Sequence, residues 1–413
     1  MKINLILPPQ PFLGAPERNA PLGIMYLAAV LEENNYDVVI SDLRAGEVEL
    51  DEADVFGFSC VTPDYNICVK IAKALKKKYT KSHIIIGGIH PTVVDVDPIF
   101  EHVCIGEGEL AILEILKHIE TKKQMKIRTE YPDIDMLPLP ARHLLPSFIS
   151  TEFVEVGKKA TSIIASRGCA FNCPFCCSRK FWGRKIRYRA VDKVLAEIKH
   201  LKDDYDIEQL RFHDDGFTTA KKSWLYDLCD GIKELDIQYR INARVDQVPM
   251  PVLEKLKESG CIDIGYGVES IEQHVLDKCN KGIKVKDIRE ALINTKQLGM
   301  KIRLFFIAGL PGQTWNSHVK TMQFINEVKP TTIDISTLVP YPGSPYYDSP
   351  EKFGIKIKEE ASFDDYLKQI GFYKNELDKD FVLEHDVLSN EQLKFSRAEL
   401  HQYVSNYKMD NSK

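Results

Sequence analysis

The 413-residue chain reads as an α/β protein in three parts: an N-terminal doubly wound, Rossmann-like domain, a (β/α)6 partial TIM barrel, and a small helical C-terminal region. Three observations carry this reading. Short apolar runs alternate with helical periodicity over residues 2–123 and again over 161–339, the pattern of βα units that build a parallel sheet. A proline-broken segment separates the two stretches. A chain of 413 residues also exceeds what one hydrophobic core usually supports. The predicted divisions are 1–124, a proline-rich linker over 125–150, a barrel over 151–346 and a helical cap over 347–413.

In the first part, strands are predicted at Ile3–Leu7, Val38–Ile40, Val55–Phe58, Ile84–Ile86 and Val103–Ile105, with helices at Leu22–Glu33, Tyr65–Lys78 and Glu109–Ile119. Ligands of such sheets bind where strands run into helices at their carboxyl ends. The unusual residues fall there: Gly57-Phe58-Ser59-Cys60-Val61-Thr62, Gly87-Gly88-Ile89-His90-Pro91-Thr92 and Gly106-Glu107-Gly108-Glu109. Glycine lets backbone amides approach a ligand closely, and the Ser59 and Thr62 hydroxyls suit a buried polar group. His90 reads alternatively as a surface residue that caps a turn.

Pro132, Pro138, Pro140 and Pro146 rule out a long helix in the joint. Barrel strands follow at Ser162–Ser166, Gln209–His213, Gln238–Ala243, Asp263–Val268, Arg303–Ala308 and Thr332–Leu338, and chemistry is expected at their carboxyl ends. The first of them leads into Cys169, Cys173 and Cys176, spaced C-x3-C-x2-C. Three thiolates so close on one loop can hold a cubane iron-sulfur cluster by three of its four irons. The alternative is a structural zinc site completed by Cys177 or a nearby His, but no second knuckle or His pair follows.

Later strand ends carry Asp214 and Asp215, Arg244 and Asp246, Glu269, Gly309-Leu310-Pro311-Gly312 and Tyr341. Asp215 reads equally as the N-cap of a helix that starts near Lys221. Arg244 and Asp246 read alternatively as a surface pair worth little. The basic run from Arg179 to Arg189 reads as a solvated loop with one or two arginines that balance cofactor charge. In the tail, 359–372 and 390–407 read as amphipathic helices.

Hydrophobic residues make up 44% of the chain and charged residues 28%, with a formal net charge of -5, which argues against a surface that coats nucleic acid. The start shows no signal-peptide pattern, and no stretch is apolar enough to span a bilayer. With ten cysteines, the expected compartment is a reducing cytoplasm.

The cysteine triplet resembles the radical S-adenosylmethionine (radical SAM) superfamily, and GxS-x2-T, GG-x-HPT and GEGE resemble the cobalamin-binding domain ahead of many of its members. This places the chain with the class B methyltransferases and anaerobic cyclase-like enzymes. The resemblance implies a 4Fe-4S cluster on Cys169, Cys173 and Cys176, with SAM on the open iron as the source of a 5'-deoxyadenosyl radical. It implies SAM contacts from Phe175, Asp214, Arg244, Glu269 and Leu310, and cobalamin contacts from Ser59, Thr62, Gly87, Gly88, His90, Glu107 and Gly108. The Asp-x-His-x-x-Gly loop that gives cobalt a lower axial histidine is absent, so cobalamin would be held without one. The implied reaction is methylation of an unactivated carbon on a small-molecule or peptide substrate, with flavodoxin or ferredoxin as electron donor. The alternative is a radical SAM cyclase, dehydratase or epimerase of natural-product or tetrapyrrole metabolism, in which the cobalamin domain is vestigial or transfers no methyl group.

Overall fold

The protein is described from a computed structural model that covers residues 1–413 except 45, 47, 122–123, 152–154, 370–378 and 412–413. Six parallel strands form the first sheet: β1 (Lys2–Leu7), β2 (Asp37–Asp42), β3 (Val55–Ser59), β4 (His83–Gly87), β5 (His102–Ile105) and β6 (Met125–Arg128). Their apolar runs are buried from both sides, Ile3, Leu5, Phe56 and Ile84 to Ile86 among them, as a parallel sheet covered by helices requires. The covering helices are α1 (Leu22–Glu33), α2 (Tyr65–Lys78), α3 (Ile89–Val93) and α4 (Gly108–His118). α1 and α2 span the predicted residues. The strand order β2-β1-β3-β4-β5-β6 reverses between β1 and β3, which opens a crevice at their carboxyl ends.

Strand β6 was not foreseen. It lies within the stretch read as linker and pairs in parallel with β5, Cys104 opposite Ile127. Its four residues carry little pattern of their own, so the neighbouring strand edge makes it a strand. The rest of the connector is anchored to the barrel. Arg142 donates to the Ser162 carbonyl (3.1 Å) and pairs with Glu197 (2.8 Å), which also holds Arg189 (2.5 Å). Ala141, Leu145 and Phe148 carry one apolar core from the first sheet into the barrel.

The second sheet is an open half-barrel of six parallel strands, ordered β14-β13-β12-β11-β10-β7. They are β7 (Ala160–Ile163), β10 (Gln209–Phe212), β11 (Gln238–Ala243), β12 (Cys261–Glu269), β13 (Lys301–Ala308) and β14 (Thr332–Thr337). The strand predicted over Ser162–Ser166 splits: β7 stops at Ile163, and β8 (Ser166–Arg167) pairs antiparallel with β9 (Arg187–Tyr188). Asp214 causes the break, because its carboxylate accepts from the Ala165 N–H (3.2 Å) and the Ser166 hydroxyl (2.6 Å) and draws the chain off the sheet.

In the tail, β15 (Ile355–Ile357) and β16 (Leu383–His385) form a hairpin. A helix at Phe363–Gln369 falls inside the segment read as helical over 359–372, whose last three residues lie outside the described ones. A second helix spans Asn390–Asn411, and its Tyr403 and Tyr407 hydroxyls bond the barrel at Asn326 and the Pro330 carbonyl. No helix among the described residues is long and apolar enough to cross a membrane.

Candidate active site

The crevice over β1 and β3 opens into a cleft with about 840 Å³ of empty space, its open mouth included. Its floor is apolar, with Leu5, Ile24, Leu27 and Ile85, and its rim is set by Gly57, Gly87, Gly88, Gly106 and Gly108. Gly88 is required in its place: its φ is +108°, and a Cβ there would lie 2.4 Å from the Cys60 carbonyl oxygen. The facing wall belongs to the barrel and consists of Ile164, Arg167, Phe181 and Trp182. The two domains therefore share one cleft.

Of the residues predicted for cobalamin, Ser59, Gly87, Gly88, Glu107 and Gly108 line this cleft. Thr62 and His90 are not among its lining residues. α3 carries His90 inward, where its ring stacks on Tyr65 at 4.1 Å, meets the edge of Phe363 at 4.8 Å and sets Nδ1 3.2 Å from the Thr62 hydroxyl. Burial pulls the imidazole down to about 4, so it is neutral at physiological pH. It is also no turn cap at the surface.

Glu107 faces the cleft, but its carboxylate is paired. Arg167 contacts Glu107 at 2.5 Å and Glu109 at 2.7 Å, and Arg187 binds the other Glu107 oxygen. The Arg167 guanidinium lies between the rings of Tyr26 (5.1 Å) and Trp182 (5.2 Å). Sequence reading missed Arg167, whose one signal was its place just before the cysteine loop. The basic run is solvated at Lys180, Arg184 and Lys185, as read, whereas Arg187 and Arg189 serve buried carboxylates of the fold.

Arg167 leads directly into Gly168 and Cys169. Gly168 has φ +104°, and a Cβ there would come within 2.6 Å of the Lys185 carbonyl, so the loop closes against the returning chain only with glycine. Cys169, Cys173 and Cys176 are free and half-buried. The Ser178 N–H donates to Cys176 Sγ at 3.4 Å, and the Cys176 N–H donates to the Cys173 carbonyl at 3.1 Å. Burial pushes the Cys176 thiol up to about 12, so it becomes a thiolate only beside a cation such as cluster iron. Cys177 stands at the N-cap of the helix Ser178–Trp182, without a side-chain cap bond.

Beyond this loop, Lys281, another residue the sequence reading missed, draws the predicted SAM residues together. Its ammonium is 2.8 Å from Glu269 Oε1 and 5.6 Å from the centre of the Phe175 ring, and its carbonyl accepts from Arg244 at 2.8 Å. Arg244 is gripped by both oxygens of Asp246 (3.0 Å each) and lies 3.6 Å over Phe171, so the pair is packed against the cysteine loop and is not a loose surface contact. Glu269 holds φ +62°, a strained backbone position for a residue with a side chain. Leu310 is buried among Val275, Leu338 and Tyr346, and its carbonyl accepts from His385 of the tail at 3.1 Å. Asp214 is sealed inside, shaping the entry to the cysteine loop, and burial raises it to about 7. Asp215 accepts from the Ser178 hydroxyl; the helix Lys222–Leu235 begins from Lys221 with no side-chain cap, so the N-cap reading of Asp215 does not hold.

Family models match the two halves of this arrangement separately. The B12 binding domain matches residues 15–116 and the Radical SAM superfamily matches residues 163–325, together more than half of the chain. The chain belongs to the radical SAM superfamily, in the branch with a B12-binding domain. An uncharacterized methyltransferase of Pyrococcus horikoshii is 29% identical over 382 residues, covering 83% of this chain and 82% of the relative. The anaerobic magnesium-protoporphyrin IX monomethyl ester cyclase of Rubrivivax gelatinosus is 24% identical, covering 82% and 67%. Among solved structures, the radical SAM methyltransferase TsrM from Kitasatospora setae, with cobalamin and a 4Fe-4S cluster bound, superposes with TM-score 0.69 at 14% identity, covering 87% of this chain and 81% of that one.

The cofactors of this radical SAM enzyme are accordingly a 4Fe-4S cluster, SAM and cobalamin. The residues present fit them. Three free thiols lie on one loop, and a glycine-rimmed apolar cleft adjoins it.

Proposed function

We propose that the protein is a cobalamin-dependent radical SAM methyltransferase that methylates an unactivated carbon. The observation that supports this most is the shared cleft: Arg167 lines the corrin side and is followed two residues later by the first cluster cysteine. Together the bound groups would supply a methyl group and a 5'-deoxyadenosyl radical. The protein's part is to hold them in register. Cys169, Cys173 and Cys176 bind the cluster, Phe175, Arg244 and Glu269 contact SAM, and Lys281 keeps these three oriented. The turn that carries Leu310 would flank SAM, while Asp214 acts one step back by fixing the strand end before the cysteine loop. Ser59, Gly87, Gly88, Glu107 and Gly108 receive cobalamin, and Phe181 and Trp182 exclude water from the boundary. The substrate is a small molecule or a peptide, the electron donor a flavodoxin or ferredoxin, and the compartment the cytoplasm, in keeping with ten free thiols.

Anaerobically purified protein supplied with cobalamin should hold about four irons and one cobalt per chain. With SAM and reductant it should form 5'-deoxyadenosine and, on turnover, S-adenosylhomocysteine. Absence of 5'-deoxyadenosine from cluster-replete protein would end this reading. The relation to the Rubrivivax cyclase keeps a second reading open, radical chemistry without methyl transfer, and cluster cleavage of SAM with no S-adenosylhomocysteine would select it.

A further inference from the structure

We propose that His83, Glu101 and His102 form a second metal site, which takes one divalent transition ion of the zinc class at the edge of the first sheet remote from the cleft. His83 and His102 begin β4 and β5, at the amino ends of strands whose carboxyl ends form the cofactor cleft. His83 Nδ1 stands 3.2 Å from Glu101 Oε2 and 3.4 Å from His102 Nε2. Ligands of a tetrahedral ion with bonds of about 2.0–2.1 Å are separated by roughly 3.3–3.4 Å, so the spacing is that of a metal's donor atoms.

The chemistry of the three atoms agrees. Glu101 Oε2 only accepts, and each facing ring nitrogen accepts unless it is protonated. One proton satisfies a single edge of this triangle; one cation satisfies all three corners. Lys76 bonds the other carboxylate oxygen at 2.7 Å, which turns Oε2 toward the imidazoles as an outer-shell partner would. His102 is wholly buried, and its Nδ1 has no hydrogen-bond partner. The His83 and Glu101 side chains are 32% and 26% exposed, which leaves an entry path and room for a water as fourth ligand. Two imidazoles with one carboxylate select zinc and its neighbours over calcium or magnesium. The ion would tie the starts of β4 and β5 together and would appear in metal analysis independently of iron.

The test uses the full chain with its cluster reconstituted, dialysed anaerobically against Zn²⁺, with zinc and iron counted in the same sample. About one zinc per chain is expected beyond unchanged iron, and Co²⁺ in its place should give the visible absorption of a tetrahedral site. His83→Ala and Glu101→Gln, both at part-exposed positions, should each weaken zinc binding by about tenfold or more with iron unchanged. Wild-type protein that takes up no zinc, or variants that bind it as tightly as wild type, would overturn the site.

Discussion

The two parallel sheets present their carboxyl ends to a common space but build them from different materials. The edge of the first sheet is made of backbone and apolar side chains: glycines at β3, β4 and β5 leave a cleft, and its hydroxyl and carboxylate groups are few. The edge of the half-barrel is made of ionic side chains that hold one another, with Arg244, Asp246, Glu269 and Lys281 in one connected group. A backbone-built edge suits a large rigid ligand recognised by shape, and a charge-built edge suits a small zwitterion recognised by its charged groups. Arg167 and Arg187, from the barrel, are charges that cross into the first domain.

Four variants separate these two designs. The largest effect is expected from Cys169→Ala, Cys173→Ala and Cys176→Ala together: iron should fall to background and 5'-deoxyadenosine should vanish, while the first domain still retains added cobalamin on gel filtration. Loss of both cofactors at once would mean that the two edges are not independent. Next comes Arg167→Ala, which strands Glu109 as a buried carboxylate, leaves Glu107 to Arg187 alone and should cost about 3–5 kcal/mol in denaturant unfolding. If that variant unfolds like wild type, the bridging role of Arg167 is wrong.

Gly88→Val tests the backbone-built edge alone. The added side chain meets the Cys60 carbonyl and a left-handed φ, so a cost of about 1–3 kcal/mol is expected, together with a loss of bound cobalamin at unchanged iron. Retained cobalamin would move the corrin site elsewhere. The smallest effect concerns pH. Burial raises Asp214 from 3.8 to about 7, so the folded state holds its proton more tightly than the unfolded chain. That contribution is fully present below pH 3.8 and is lost as pH rises to about 7. Asp214→Asn should flatten this decline, so that the variant gains on wild type in thermal midpoint between pH 3.8 and about 7; parallel pH profiles would refute the assignment.

Legibility in the sequence followed the range of the interaction. α1 and α2 were readable to their ends because helical periodicity is local, and Gly88 was readable because a turn after a strand needs it whatever surrounds it. The cysteine triplet was readable because all three ligands lie on one short loop. The inward turn of His90 was not readable, because a motif places a residue in a loop without saying which way the loop turns; Tyr65 and Phe363 draw His90 inward, and Phe363 comes from the far end of the chain.

By itself the sequence determined the order of the parts, the alternation that makes two parallel sheets, the cysteine loop and the glycines that open the first edge, since each depends on neighbours within a few residues. Tertiary structure alone decided that the two edges share one cleft, that β6 joins the first sheet, that Glu107 is paired with an arginine 60 residues away, and that Lys281 gathers three separate motifs. The physical reason is that charge pairing and burial act through space: a guanidinium or ammonium finds the nearest desolvated carboxylate wherever the chain has brought it, and spacing along the chain does not record that distance.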